Sequence, residues 1–536
     1  MSFLQAMQKK NTVTQNSALS NSSTGNSVLD YFAKCGSYRS RSQSEVTADI
    51  DAAYSEDSQL ALKTIFYNRA ITRKSKGFDE SDNVIKGQGN KDEFIRAIKA
   101  LEEKHPKTLY VNLWLIPTLG CWKDLWYDSV NTGLYHYVNK TQVYKLIKMA
   151  LKNDYHRALL AKYLPKIRSA SNTKTDRHRR LNDFAKGLCK YLNWTERDYR
   201  KFKSNPEFLA HQFQRDISAG NWTDIDWNMV PGKALFNLAT IKGKDGKTFV
   251  ERHGLEASYT KWLAKQPVAK FTGYVYELGA QVKHSLNAAQ KMTINKQFEG
   301  LLALAKDNLN PELLEGGVLC ALDTSGSMTC ATAGKNTAYD ICVSLGVYFA
   351  SLIQGHFHNH VVHFGDTSKL VKLNHDNFVD NYQQITGSTT AWGSTNFQSV
   401  IDEIVRVRNQ NPKIPVNEYP KVLLVVSDMQ FNPTAGNTQT NYEVAMKKLR
   451  AVGLEDMTVI WWQVNGRYGN DFPSSLDDAG TVLVSGFDGS IVSSILGGAK
   501  EQVVDAVTGE VRRLNPLEMM TKCLDQEVLN KIVVVD

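Results

Sequence analysis

The sequence predicts two fold types in one chain: an α-helical-repeat region followed by an α/β region with a doubly wound, mostly parallel sheet. From about residue 29 to 310, apolar residues recur three and four positions apart, which is the helical period. From about residue 316, short apolar runs alternate with helical segments, as in parallel sheets covered on both faces. The charge also changes sign. Residues 301–536 carry 17 Lys+Arg and 26 Asp+Glu (net −9), so the totals of 64 and 55 leave 47 and 29 (net +18) for residues 1–300.

The first 28 residues are rich in Ser, Thr, Asn and Gln, and we expect a disordered arm there. They contain no apolar stretch typical of a signal peptide. No window of the chain reaches 18 uninterrupted apolar residues, so no membrane span is predicted. The seven cysteines are widely spaced and include no Cys-x-x-Cys pair, which favours a reducing, cytoplasmic location over a disulfide framework.

Residues 29–310 are predicted to form one helical domain. The helical period is clearest at 59–66, 94–101, 144–151 and 158–164, and prolines separate the segments. Successive short helices favour a HEAT-like α-solenoid, which could close into a ring. No strict repeat period is visible in the sequence.

Basic residues cluster within this helical region, and lysines and arginines can neutralise RNA phosphates. The segment 166–180 has the polar composition of a loop, and Asp176 is its only acidic residue. Tyr199 and Phe202 lie among further basic residues, either as core positions or as stacking partners for bases. The candidate RNA-binding residues are Arg39, Arg41, Arg73, Lys74, Arg168, Lys174, Arg177, Arg179, Arg180, Arg200 and Lys201.

Residues 311–536 are predicted to form the α/β domain with a C-terminal extension. Strands are expected at 317–322, 360–364, 422–427, 458–464 and 481–484. Helices are expected at 337–353, 396–408, 441–452 and 489–500. In such folds ligands bind at the carboxyl ends of the strands.

Five oxygen-bearing side chains fall at those strand ends or just before a helix. Two carboxylates and three hydroxyls from three loops could surround one divalent cation, and hard oxygen ligands with few charges suit Mg²⁺. In the alternative interpretation, the serines cap a helix and the second aspartate caps a turn. The candidate ligands are Asp323, Ser325, Ser327, Thr395 and Asp428.

This pattern resembles the adhesion-site motif of von Willebrand factor A domains, Asp-x-Ser-x-Ser with a later Thr and a later Asp. The resemblance covers residues 316–500 and is complete at those five positions. It implies Mg²⁺ or Mn²⁺ as the cofactor. It also implies that an acidic group of a partner often completes the coordination.

A basic helical region followed by such a domain resembles the Ro (TROVE) ribonucleoprotein family. That resemblance implies a helical-repeat ring that binds RNA and is closed by the von Willebrand domain. The chain is also similar to relatives from plants, fungi, bacteria and phages in the elements at 87–94, 112–125 and 225–234. The RNA-contacting residues of the Ro ring cannot be aligned one by one onto this sequence.

We therefore expect a non-enzymatic RNA-binding protein, a Ro-like RNA scaffold or quality-control factor, with a Mg²⁺-dependent adhesion site. Its expected partners are small structured RNAs or single-stranded ends, and an acidic protein ligand at the metal site. No nucleophile with a paired base is evident in the sequence, which argues against an enzyme. The alternative is a protein–protein adaptor that uses the metal site without physiological RNA.

Overall fold

The computed structural model describes residues 12–38, 41–78, 82–208, 213–307, 317–333, 336–387, 393–466, 471–489, 495–496, 501–504, 509 and 511–536. The strands are β1 (Thr12–Val13), β2 (Leu19–Ser20), β3 (Arg73–Lys76), β4 (Asp82–Ile85), β5 (Trp126–Asp128), β6 (Tyr135–Tyr137), β7 (Val318–Asp323), β8 (Ala331–Ala333), β9 (Asn336–Thr337), β10 (His360–Phe364), β11 (Ser368–Lys372), β12 (Val422–Ser427), β13 (Thr458–Gln463), β14 (Thr481–Ser485), β15 (Gln502–Val504) and β16 (Val511–Arg513).

The α-helices fall into two groups along the chain. Those before residue 226 are α1 (Ser27–Cys35), α2 (Gln43–Glu56), α3 (Ser58–Arg69), α4 (Lys91–Lys104), α5 (Pro106–Val111), α6 (Leu115–Leu119), α7 (Lys140–Ala150), α8 (Asp154–Tyr163), α9 (Asp176–Leu192), α10 (Glu196–Ser204) and α11 (Phe213–Ala219). Those after it are α12 (Gly232–Thr240), α13 (Phe249–Arg252), α14 (Glu256–Ala264), α15 (Val275–Val282), α16 (Ala288–Asp307), α17 (Ala338–Leu352), α18 (Phe378–Gly387), α19 (Gln398–Gln410), α20 (Asn441–Arg450), α21 (Pro516–Leu524) and α22 (Glu527–Asn530).

The chain divides into two compact units that cross the predicted boundaries at residues 28 and 310. The α/β unit comprises residues 1–40 and 226–523, and the helical unit comprises residues 41–225 and 524–536. Residues 12–28, where a disordered arm was expected, contain β1, β2 and the start of α1. The polar side chains of this arm find partners within the α/β unit, as when the buried Thr14 donates to the carbonyl of Phe431 at 2.7 Å.

A six-stranded sheet in the order β11–β10–β7–β12–β13–β14 forms the centre of the α/β unit. All its neighbouring strands are parallel except the β10–β11 pair, so the predicted mostly parallel sheet is confirmed. Every residue of β7, β12 and β13 is buried. Strands covered on both faces need continuous apolar runs, which explains why these three were visible in the sequence.

The edge strand β11 was not predicted from the sequence. Its residues are exposed or half-buried and include two lysines, so the strand lacks the apolar run of its neighbours. Helix α18 was also not predicted, although Phe378 and Tyr382 are buried in it. Most of the helix expected at 489–500 lies outside the described residues.

Residues 226–307, which were predicted within the helical domain, belong to the α/β unit. Helix α15 packs on α17, and Gly279 permits this close approach: a Cβ there would lie 2.3 Å from Ser344 Oγ. Lys283 at the end of α15 pairs with the buried carboxylate of Asp340 on α17. The Tyr382 hydroxyl donates to the same carboxylate at 3.3 Å. The packing of α15 on α17 therefore accounts for the place of this segment in the α/β unit.

The helical unit contains helices α2 to α11, helix α22 and two short hairpins, β3–β4 and β5–β6. Its core includes Trp126 and Phe184, whose ring centroids are 5.0 Å apart, and the Phe66–Phe94 pair at 5.8 Å. The helical repeat and its closure into a ring remain predictions. Within the described ranges, no helix has the length and apolar character needed to cross a membrane.

Candidate functional site

Three loops meet at the carboxyl end of the sheet. Strands β7 and β12 are parallel neighbours with Leu322 opposite Val426, so Asp323 and Asp428 emerge at the same edge. The loop after β7 is tied to the Thr395 loop by a hydrogen bond of 3.1 Å from Gly326 N to Gly393 O. The Thr395 loop is tied to the loop after β12 because Asn432 N donates to Thr395 O at 2.9 Å.

The structure brings the five predicted cation ligands to these loops. Asp323, Ser325, Thr395 and Asp428 are all buried, and Ser327 is half-buried. The two serine hydroxyl oxygens lie 3.1 Å apart. The residue spacing that predicted the site thus corresponds to a spatial cluster of hydroxyls and carboxylates.

Asp323 is held by two hydrogen bonds from its own neighbourhood. The backbone N–H of Ser325 donates to Asp323 Oδ1 at 2.9 Å, and the hydroxyl of Ser427 donates to Oδ2 at 2.5 Å. Asp428 differs, because its Oδ1 accepts from Gln430 N at 3.2 Å while its buried Oδ2 accepts no hydrogen bond from the described residues. Burying a carboxylate oxygen without a donor lowers the stability of the fold. A positively charged partner at this oxygen would offset that cost.

The pKa shifts of Asp323 and Asp428 also favour a positive partner at this site. Burial, together with the negative charge of Asp428, raises the pKa of Asp323 above its ordinary value. Burial also raises the pKa of Asp428, and the nearby Ser327 hydroxyl and the backbone of Gln430 partly oppose that rise. Two carboxylates that share a dry site disfavour each other's charged form, and a divalent cation would remove that penalty.

The donor set fits a hard divalent cation. It consists of oxygen atoms only, which Mg²⁺ and Mn²⁺ prefer over softer ligands. In the parts of the chain that are described, no group of three or more His, Cys, Asp or Glu side chains could hold a metal. Any cation held here would therefore depend on the hydroxyls of Ser325, Ser327 and Thr395 as well as on the two carboxylates.

Around these five residues lie side chains that the motif did not indicate. Asn432 Oδ1 accepts from the backbone N–H of Thr395 at 3.1 Å. Asp366 Oδ1 accepts from both the backbone N–H (2.8 Å) and the hydroxyl (2.6 Å) of Ser394. Gly393 has a φ of +149°, and a Cβ there would lie 2.2 Å from Asp366 Oδ2, so this loop position requires glycine. Only the Gly-Ser-Thr-Asn composition of the loop hinted at this arrangement.

The predicted RNA-binding residues differ in whether their charged groups already contact other groups of the protein. Arg39 lies outside the described residues, as does the side chain of Lys74. Arg41 pairs with Asp49 at 2.7 Å and with Glu93 at 3.5 Å. Arg73 donates to the carbonyl of Gly120 at 2.8 Å. Arg41 and Arg73 therefore stabilise the helical unit itself.

The arginines of α9 are also engaged. Arg180 donates two hydrogen bonds to Asp128, at 2.8 and 3.1 Å, and its guanidinium lies 4.1 Å from the ring centroid of Tyr135. Arg177 donates to the backbone carbonyl of Asp128 at 2.9 Å. Arg179 pairs with Asp176. Asp128, which precedes Arg177 by 49 residues and Arg180 by 52, thus neutralises charge that the sequence alone left unbalanced.

Arg200 pairs with Glu196 at 2.7 Å across one helical turn. Arg168, Lys174 and Lys201 are exposed, and none of the three makes an ion pair with another described residue. Arg179 and Arg200 are exposed as well, but each is ion-paired, so these three are the described RNA candidates that combine exposure with the lack of an ion pair. Tyr199 is fully buried and donates to the carbonyl of Pro165 at 2.8 Å, so it is a core residue and not a stacking partner.

The α/β unit is thus a mixed α/β fold with a mostly parallel six-stranded sheet and an oxygen-rich cluster at the carboxyl ends of its strands. Residues 318–524 match the model of a domain of unknown function (DUF7788), and residues 14–205 match that of another domain of unknown function (DUF2828). The "Uncharacterized protein L728" of Acanthamoeba polyphaga mimivirus is 22% identical over 554 residues, covering 97% of this chain and 88% of that protein.

Among solved structures, the chain is similar to the Deinococcus radiodurans RO (RSR) protein. That similarity has a TM-score of 0.35 at 12% identity, and it covers 89% of this chain and 99% of the other. A likeness at this level does not bear on the function of this chain.

Proposed function

We propose that this protein is a non-enzymatic binding protein whose α/β unit holds Mg²⁺ or Mn²⁺ through Asp323, Ser325, Ser327, Thr395 and Asp428. The observation that carries the proposal is that the buried Oδ2 of Asp428, in the same cluster as Asp323, accepts no hydrogen bond from a described residue. A bound cation would offer an open position to an acidic group of a partner. The resemblance of the motif to von Willebrand factor A adhesion sites supports the same conclusion.

Mn²⁺ titration of the purified, metal-free protein, followed by electron paramagnetic resonance, tests this function. We expect saturable binding of one Mn²⁺ per chain that Mg²⁺ displaces. Asp323→Ala should abolish it. Asp402→Ala removes an exposed carboxylate of α19 in the same unit and is the matched control, with binding as in the wild type. Equal Mn²⁺ affinity in wild type and Asp323→Ala would refute the proposed site.

The helical unit supports a second proposed function, RNA binding. This unit, residues 41–225 and 524–536, carries 33 Lys+Arg and 25 Asp+Glu (net +8), which favours a polyanionic partner. Arg168, Lys174 and Lys201 are exposed there without ion pairs to described residues. The resemblance to the Ro family suggests small structured RNAs or single-stranded ends. Together the two sites describe an RNA scaffold or quality-control factor with a cation-dependent partner site.

Binding of a labelled single-stranded RNA to nucleic-acid-free protein, measured over a range of salt concentrations, tests this second function. We expect affinity to fall steeply as salt rises, because each neutralised phosphate releases counterions. Absence of binding at low salt would instead favour an adaptor that uses the cation site for acidic protein partners alone.

A further inference from the structure

The N-terminal hairpin β1–β2 lies against the loops that carry the candidate cation ligands. Its strands pair antiparallel, and its turn is closed by hydrogen bonds from Thr14 N to Ala18 O (2.9 Å) and from Ser17 N to Thr14 O (2.8 Å). Ser17 adopts a φ of +68°, which the tight turn requires. The hairpin is therefore a defined element of the α/β unit.

Several hydrogen bonds join the hairpin to the loop after β12. The hydroxyl of Thr14 donates to the carbonyl of Phe431 at 2.7 Å. The backbone N–H of Gln15 donates to the side chain of Gln430 at 2.6 Å. Asn437 accepts from Leu19 N at 3.0 Å and donates to Ser17 O at 2.9 Å. These contacts span more than 400 residues of sequence and hold the hairpin at the site.

Asn16 at the tip of the hairpin reaches furthest into the cluster. Its amide nitrogen lies 2.7 Å from the carbonyl of Gln430, 3.2 Å from Asn432 Oδ1 and 3.4 Å from the hydroxyl of Thr395. The Asn16 amide group has only two hydrogens for these three acceptors. The contact with Thr395 is the weakest of the three because it is the longest. The backbone carbonyl of Gln430 can only accept, which determines the orientation of the Asn16 amide.

Asn432 links Asn16 to the backbone of the Thr395 loop. Its Oδ1 accepts from Thr395 N at 3.1 Å, and its amide nitrogen donates to the hydroxyl of Ser394 at 2.7 Å. Asn16 thus approaches Thr395 both directly at its hydroxyl and indirectly through Asn432. A hydroxyl oxygen has two acceptor positions, so a donor at one leaves the other for a cation.

We propose that the hairpin is a built-in part of the cation site and that Asn16 is a positioning residue that orients the Thr395 hydroxyl for the cation. This inference rests on the proposed cation function. Residues that orient metal ligands typically account for about 10- to 100-fold in metal affinity. Loss of the Asn16 amide should therefore weaken cation binding while the remaining ligands stay in place.

The test is the Mn²⁺ affinity of the full-length Asn16→Ala protein. Gln15→Ala is the matched control, because it removes a neighbouring amide side chain while the hydrogen bond to Gln430 uses the backbone of Gln15. We expect a Kd about tenfold higher for Asn16→Ala and an unchanged Kd for Gln15→Ala. Equal affinities for Asn16→Ala and wild type, in a wild type that does bind Mn²⁺, would overturn this inference alone.

Two further measurements keep the test decisive. Thr14→Val removes the hydroxyl that docks the hairpin on Phe431 and should also raise the Kd. That variant replaces Asn16→Ala if thermal unfolding of the metal-free protein shows Asn16→Ala to be unfolded, and wild-type affinity in Thr14→Val would then overturn the inference. Failure of the wild type to bind Mn²⁺ would refute the proposed cation function and this inference together.

Discussion

The hydroxyl of Ser427 donates a 2.5 Å hydrogen bond to Oδ2 of Asp323, and this bond joins the ends of two neighbouring parallel strands. The backbone N–H of Ser325 donates to Oδ1 of Asp323 at 2.9 Å. Both oxygens of Asp323 are therefore oriented by the protein, whereas Asp428 keeps a buried oxygen without a donor among the described residues. The two carboxylates thus differ: one is held in place, and the other has an oxygen available to a cation.

Ser427→Ala should weaken Mn²⁺ binding by about tenfold, because the carboxylate of Asp323 loses a donor that orients it. Isothermal titration calorimetry measures the change. Ser351→Ala is the control, since the Ser351 hydroxyl donates to the carbonyl of Val347 within α17, away from the three loops. Unchanged affinity in Ser427→Ala would show that Asp323 does not depend on this bond.

Asp428→Asn should make the metal-free protein more stable and remove its response to metal. The substitution relieves two buried like charges, which we expect to raise the free energy of unfolding by on the order of 1–2 kcal/mol. Wild type should gain about 2.7 kcal/mol at Mn²⁺ 100-fold above its Kd, and the variant should gain nothing. Thermal unfolding with and without Mn²⁺ distinguishes the two proteins, and an equal metal-induced rise in Tm would count against Asp428 as a ligand.

Changing Arg168, Lys174 and Lys201 together to Glu should weaken binding to single-stranded RNA and flatten its salt dependence. Each lost phosphate contact lowers the slope of log K against log salt by about 0.7. Filter binding between low and moderate salt measures both quantities. These residues are preferable to Arg177 and Arg180, because changing the latter would also break the contacts with Asp128.

The control for that variant is Lys369, Lys413 and Lys447 changed together to Glu. All three are exposed residues of the α/β unit, and the net charge changes by the same amount. If both triple variants lose affinity and slope equally, the RNA responds to net charge and not to the helical unit.

His156→Phe should make stability less sensitive to acid. His156 is buried, with its ring centroid 4.0 Å from that of Phe78, and burial lowers its pKa from 6.5 to about 4. The unfolded chain binds more protons between those values, so stability is full above pH 6.5 and falls as the pH falls toward 4. The loss amounts to about 3 kcal/mol, from 1.36 kcal/mol per pKa unit.

Urea midpoints at pH 7 and pH 5 measure this effect. The difference between the two midpoints should be smaller for His156→Phe than for wild type. His284→Phe changes an exposed histidine and should keep the wild-type difference. An undiminished difference in His156→Phe would mean that another group controls the acid response.

The core of the α/β unit could be predicted because burial on both faces demands unbroken apolar runs. Strands β10 and β12 have the predicted bounds, β13 and β14 differ by one residue at one end, and β7 lies one residue later at both ends. The edge strand β11 has only two apolar residues, between two lysines, and none of its residues is buried, so composition did not reveal it.

The sequence was a poorer guide to the basic clusters of the helical unit than to the buried strands. Local composition left Arg177 and Arg180 without acidic partners, yet Asp128 lies beside both. Charge balance is a property of neighbours in space, so counting charges along a segment overestimated the free charge.

The sequence by itself determined the sheet class and the five candidate ligands, because strand burial and motif spacing are local properties of the chain. Tertiary structure alone decided which oxygen of the cluster lacks a donor among the described residues, which basic residues stay exposed without an ion pair, and that residues 226–307 pack with the α/β unit. It also brought Asn16 to Thr395 across 379 residues. Those contacts depend on how distant segments pack, and no local pattern encodes them.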